Sequence, residues 1–116
     1  QQVVTTAQLK EVQEAVKEVH IDHKVKDYIV ELVRQTREHT DVYLGSSSRG
    51  ALALYRLCQA RAGIFGRDYV LPDDAKALAV TALAHRIIVG PAARIKDIEP
   101  DNIVEELLNR IPVPTA

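Results

Sequence analysis

Methionine and tryptophan are absent from this chain, and cysteine and phenylalanine occur once each. The single thiol, Cys58, excludes a disulfide within the chain and is compatible with a reducing compartment. With four tyrosines as the other aromatics, the core has to be aliphatic, built from Leu, Val, Ile and Ala. No apolar run approaches the roughly 18 residues that a membrane span needs. An excess of one charge is missing too. Fifteen Lys and Arg stand against 16 Asp and Glu, for a net charge of −1, so nothing suggests the large positive field of a nucleic-acid binder. The start, Gln1-Gln2-Val3-Val4, is neither a signal peptide nor an initiator methionine. It reads as a processed product or, the preferred reading, as an excised piece of something longer.

What is present is a chain of 116 residues, 47% hydrophobic and 27% charged, which suits one soluble globular domain. A chain of this size buries roughly two-thirds of its unfolded surface and needs no metal or disulfide staple. Thr5 and Gln8 stand in capping-box spacing before a helix over about 6–19, with Leu9, Val12, Val16 and Val19 as its apolar stripe. A second helix over about 23–37 takes Asp22 as N-cap and buries Val25, Tyr28, Ile29, Leu32 and Val33, with Arg34 and Arg37 in its last turn. A third runs from Ser47 or Ser48 to a C-cap at Gly63, with Ala51, Leu52, Tyr55, Cys58 and Ala62 facing inward. Gly66 supplies a turn. A fourth helix begins at Pro72, carries Asp73 and Asp74 in its first turn, and ends near Arg86. A fifth spans about 101–109, and residues 90–100 are the least regular stretch. The expected fold is all-α: a small bundle of four to five helices with at most a minimal β-ribbon built from Tyr43, Tyr69 or Val89.

Catalytic constellations are thin. His20 and His23 flank Asp22 at a helix start and read as junction residues rather than metal ligands. His85 beside Arg86 reads as a helix-end cation or an interface residue. Cys58 lies in an apolar stripe and reads as a small buried hydrophobe. Ser46, Ser47 and Ser48 do not form a nucleophile elbow, which needs a glycine on both sides and a preceding strand. No glycine-rich turn is followed by Lys and Ser or Thr, so the chain by itself is not expected to hydrolyse ATP. One element stands out: Leu44-Gly45-Ser46-Ser47-Ser48-Arg49-Gly50. Arg49 falls in the first turn of a helix, where the dipole favours anions, so it wants a partner. That partner is either a phosphate, welcomed by free amides at the helix start, or a carboxylate such as Asp41.

Tyr28-Ile29-Val30-Glu31-Leu32-Val33-Arg34-Gln35-Thr36-Arg37 resembles the second helix of the lid subdomain of MoxR-type AAA+ ATPases. Leu44 to Ala51 resembles the segment that opens the next lid helix, and Gly66-Arg67-Asp68-Tyr69-Val70-Leu71-Pro72-Asp73-Asp74-Ala75-Lys76-Ala77-Leu78-Ala79 a third block. His85-Arg86 and Val113-Pro114 fit as well. The resemblance covers nearly the whole chain in order. It implies that residues 1–116 form an AAA+ lid domain whose αβα core, with its Walker motifs and first sensor, lies upstream and outside this chain. It also implies that Arg49 is the sensor-II arginine, acting in catalysis and touching the terminal phosphates, with Ser47 and Ser48 as cofactor-binding residues that open its helix. The family commonly has proline where Ser48 stands, and alanine or serine where Gly50 stands.

The resemblance further implies a cytoplasmic parent ATPase that uses ATP with Mg2+, assembled as a homo-oligomeric, often hexameric, ring and acting as a chaperone-like machine. Such machines are often linked to metal-cofactor insertion or to partners with von Willebrand factor A domains. The client is not legible. The isolated segment is expected to bind no cofactor, to have no enzymatic activity, and to contact neither nucleic acid nor a membrane. Apolar surface left bare by the missing core is expected. The alternative is a stand-alone helical interaction adaptor without nucleotide chemistry. A glycine-rich loop with Lys-Ser/Thr and then paired acids, upstream of Gln1, would decide for the ATPase.

Overall fold

The alternation of apolar residues every three and four positions builds six helices in a computed structural model that describes residues 1–114. They are α1 (Thr6–Val16), α2 (His23–Glu38), α3 (Ser48–Ile64), α4 (Pro72–Leu83), α5 (Pro91–Ile95) and α6 (Pro100–Arg110). A 3-10 turn, Ala84–Arg86, prolongs α4. Strands β1 (Val42–Leu44) and β2 (Ile88–Val89) form an antiparallel ribbon pairing Val42 with Val89 and Leu44 with Ile88. The fold is a small helical bundle with a minimal ribbon, as the sequence predicts. Tyr69 takes no part in that ribbon. It bridges in parallel to His20, whose N–H donates to Asp68 O at 2.9 Å and whose carbonyl accepts from Val70 N–H at 2.8 Å.

The core is the space between α2, α3, α4 and α6. Ile29, Leu32 and Val33 of α2 meet Leu54, Cys58 and Ala62 of α3, Ala75, Ala79 and Leu83 of α4, and Ile103, Val104 and Leu107 of α6, all buried. Alanines on α3 and α4 let these two helices approach closely, which is why aliphatic residues suffice without large aromatics. The α2 stripe is the one expected, extended by one turn to Thr36, which is fully buried.

Several helix faces and ends depart from the sequence reading. On α3, Leu52 points outward at 57% exposed, while Gly50, Leu54 and Gln59 are buried. The helix is turned because Gly50, not Leu52, faces α4: a Cβ there would lie 3.1 Å from Leu83 Cδ2. The α1 helix stops at Val16 rather than Val19 and buries nothing, with Leu9 and Val12 about half exposed. Gln59 Nε2 donates to the carbonyls of Lys17 (3.1 Å) and Val19 (3.0 Å), ending the helix there. The C-cap of α3 is Phe65, not Gly63. Gly66 takes φ +74°, its N–H donates to Gly63 O, and Arg67 N–H donates to Ala62 O at 2.9 Å, which is a Schellman closure. The helix expected to end near Arg86 is α helical only to Leu83. The irregular stretch 90–100 contains α5, opened by Pro91 and closed by Asp97 at φ +60°.

Capping follows the sequence at one end and departs from it at another. Thr5 and Gln8 exchange both capping-box bonds, at 2.8 and 3.1 Å. Asp22 holds the N-cap position of α2, but its side chain makes no capping bond; only its carbonyl accepts, from Val25 and Lys26. Arg37 lies in the last turn of α2, whereas Arg34 pairs with Glu31 (2.6 Å) and Glu38 (2.7 Å). Those hydrogen bonds, first from Arg34 and then from Gln35, hold the Glu31 carboxyl down at about 2.

Asp74 does more than complement a dipole. It is 0% exposed and accepts from Arg61 Nη1 at 2.5 Å, Arg67 Nη2 at 2.7 Å, Arg67 Nη1 at 2.9 Å and Leu71 N–H at 2.8 Å. Burial pushes its carboxyl up, but the bonds from Arg67, Leu71 and Arg61 outweigh it and hold the group below its usual range. The folded pKa lies below the unfolded one, so Asp74's contribution is complete above an unfolded value of about 3.9 and is lost as pH falls through the folded value. Denaturant unfolding of the chain from pH 7 to pH 2 is expected to show this loss. Asp74→Ala should lower stability at pH 7 by about 3 kcal/mol, the lower end for a broken buried pair because both arginines keep some water contact. It should also flatten the acid limb. An unchanged acid limb in the variant would refute the assignment.

Candidate functional site

The loop from Gly45 to Gly50 is held on two sides before it delivers Arg49. On the α2 side, Gly45 packs against the backbone of Arg37: a Cβ at residue 45 would lie 2.6 Å from Arg37 Cα and 2.7 Å from its N. Only glycine fits so close to another backbone. One residue on, Ser46 is buried and its N–H donates to Thr36 Oγ1 at 3.0 Å. Thr36 Oγ1 in turn donates to Val33 O at 2.6 Å. On the α4 side, Gly50 leaves room for Ser46 Oγ, which stands 2.0 Å from where a Cβ would be, and for Arg86 Cδ at 3.3 Å. Gly50 is therefore a close-approach residue.

Ser47 caps α3. Its hydroxyl accepts from Arg49 N–H at 3.2 Å, and its carbonyl accepts from Gly50 N–H at 2.9 Å. Ser48 is the first helical residue. Two of the amides that the sequence reading offered to a phosphate are thus engaged within the turn. The guanidinium of Arg49 is not. Arg49 is exposed, and among the described residues no ion pair links it to Asp41 or to any other carboxylate. Among the described residues, the carboxylate expected as the alternative partner does not pair with it. Physically, the site is a planar cation, unpaired among the described residues, on a clamped helix end, a geometry suited to a phosphate oxygen pair. Arg86, whose Cδ lies against Gly50, donates through Nε to Ala82 O at 3.2 Å.

The other candidates are placed plainly. Cys58 is 0% exposed, and burial first, then the Asp74 charge, pushes its thiol up to about 12, so it is not a nucleophile at neutral pH. His23 opens α2 on the surface, and His85 is exposed in the 3-10 turn. Among the described residues no group of three or more His, Cys, Asp or Glu is placed to hold a metal ion, and no helix is long and apolar enough to cross a membrane. Sequence reasoning passed over Thr36 and Gly45 as residues that shape the loop. The signal was present for Thr36, a hydroxyl continuing an apolar stripe at i+3 from Val33; none existed for Gly45, whose neighbour is set by tertiary packing.

Comparison with known proteins bears on this loop. A family described as the AAA lid domain matches residues 34–107. An uncharacterized protein of Bacillus subtilis, YeaC, is 43% identical over 102 residues, covering 88% of this chain and 32% of that protein. Chaperone MoxR1 of Mycobacterium tuberculosis is 27% identical over 122 residues, covering 97% of this chain and 32% of that protein. The crystal structure of a protein of Cytophaga hutchinsonii, provisionally described as an ATPase, superposes with a TM-score of 0.94 at 32% identity, covering 99% of this chain and 38% of that one. The chain thus spans about a third of the length of these two curated relatives.

The clamp at Gly45 makes its own forecast. Gly45→Ala should push the loop off α2 and cost about 1–3 kcal/mol, the scale of an overpacked contact. Chemical denaturation measures it, and a wild-type midpoint would show that the loop yields freely.

Proposed function

The chain belongs to the AAA lid domain family and is related to MoxR ATPases, and on that premise we propose that it is the lid of a MoxR-type AAA+ ATPase whose core lies upstream. The lid closes over ATP held by that core and reads its terminal phosphates through Arg49. The observation that carries this reading is the exposed guanidinium at the capped start of α3, unpaired among the described residues.

ATP with Mg2+, bound by the core, supplies the phosphate chain. This chain supplies a permanent cation at a fixed position. Ser47 caps the helix that presents it, and Ser48 begins that helix, so both serve the contact from behind it. A guanidinium fork binds two phosphate oxygens at once, and losing the terminal phosphate removes part of that attraction. The lid then has less to hold it closed, which converts nucleotide state into lid position. Apolar side chains left in water, among them Val12, Ile64 (82% exposed) and Phe65 (62%), support a larger body packing on this one. The parent is proposed to work in the cytoplasm as a homo-oligomeric, hexameric ring with a chaperone-like role.

ATP hydrolysis by the full-length protein tests this. Arg49→Ala should lower kcat/KM by about 10- to 100-fold, the value of a charged hydrogen bond lost. Arg49→Lys should recover only part of it, because a point charge cannot grip two oxygens. Full turnover with unchanged ATP affinity in Arg49→Ala would overturn the proposal.

A further inference from the structure

We propose that Thr36 is a positioning residue for Arg49: its buried hydroxyl fixes the loop that carries the guanidinium. This rests on the reading of Arg49 given above.

Thr36 sits in an apolar stripe where valine would have the same shape and no polar atom to desolvate. Its side chain is 0% exposed. A hydroxyl so placed costs free energy unless it is bonded. The bond to Val33 O satisfies the hydroxyl within its own helix and gives nothing to tertiary structure. The second bond is different, since Thr36 Oγ1 accepts from Ser46 N–H ten residues onward. Without it that amide would be buried and orphaned. From Ser46 the linkage continues without slack. Its Oγ donates to Ser47 O at 3.1 Å and fills the space that Gly50 leaves open. Ser47 then caps the amide of Arg49. The guanidinium is thus referenced to α2 as well as to α3. A displacement of α2 relative to the loop has to break the Thr36 bond or carry Arg49 with it.

The test is ATP hydrolysis by the full-length protein with Thr36→Val, Thr36→Ser, Arg49→Ala and the Thr36→Val/Arg49→Ala double variant. Thr36→Val should lower kcat/KM about tenfold, the scale of one buried hydrogen bond. Thr36→Ser keeps the hydroxyl and should stay within about twofold of wild type. In the Arg49→Ala background, Thr36→Val should cost nothing more, because the group it positions is gone. Equal losses in both backgrounds would mean a merely structural role and overturn the inference. Full turnover in Thr36→Val while Arg49→Ala is impaired would sink this inference alone. Full turnover in Arg49→Ala would remove the reading of the site and this inference with it. Should Thr36→Val fail to fold, amide exchange in the wild-type protein decides: Ser46 should exchange at least about a hundredfold more slowly than an open amide. Fast exchange there would show that the clamp does not hold.

Discussion

One buried carboxylate organises the half of the bundle opposite the loop. Asp74, itself fully buried, collects two arginines and a backbone amide, so its neighbours are fixed in number and direction. Arg61 comes from the last turn of α3, Arg67 from the residue after the left-handed Gly66, and the amide from Leu71 just before α4. Those three points define the α3–α4 connection. The Schellman closure brings Arg67 round to Asp74, and Asp74 in turn fixes where Pro72 starts α4. Guanidiniums that also lie over Phe65 (Arg61, 4.8 Å) and Tyr69 (Arg67, 5.9 Å) cover exposed aromatic faces on the same connection.

That connection determines how α4 lies on α3, and hence where Leu83 and Arg86 stand at the far end of α4. There they meet Gly50, at the opposite end of α3 from Arg61. The candidate site is therefore built from the outside in. Leu83 and Arg86 limit the loop on one flank, and Thr36 and Arg37 limit it on the other. Arg49 is left as the cation that none of these contacts consumes. Carboxylates elsewhere on the bundle neutralise Arg34, Arg61, Arg67 and Arg110, whereas among the described residues Arg49, like Arg37, Arg56, Arg86 and Arg94, forms no ion pair; its place at the start of α3 is what distinguishes it.

Much of the fold was legible in the sequence where one helix face alone decides burial. The stripe of α2, the capping box of α1, Pro72 at the start of α4 and the turn at Gly66 depend on residues within a few positions of one another. On α3, Ala51, Tyr55, Cys58 and Ala62 pack against the core as expected and only Leu52 was misjudged, because alanines appear all round the helix and its exact rotation is chosen by the partner. The α1 stripe has ordinary helical spacing, yet only its last turn finds anything to pack against. Of the site, the position of Arg49 and the cap at Ser47 were legible, and the engaged amides and the missing carboxylate were not, since both depend on where the loop sits.

By itself, the sequence determined an aliphatic helical bundle and a helix opening at Ser47-Ser48-Arg49. Those follow from composition, periodicity and short-range capping, which act over a turn or two of chain. Tertiary structure alone decided that Asp74 would be the junction of two arginines, that Gly45 and Gly50 would be required for close contact, and that Thr36 would hold Ser46. Each of these joins residues brought together by packing, and local spacing carries no record of which helix a side chain will meet.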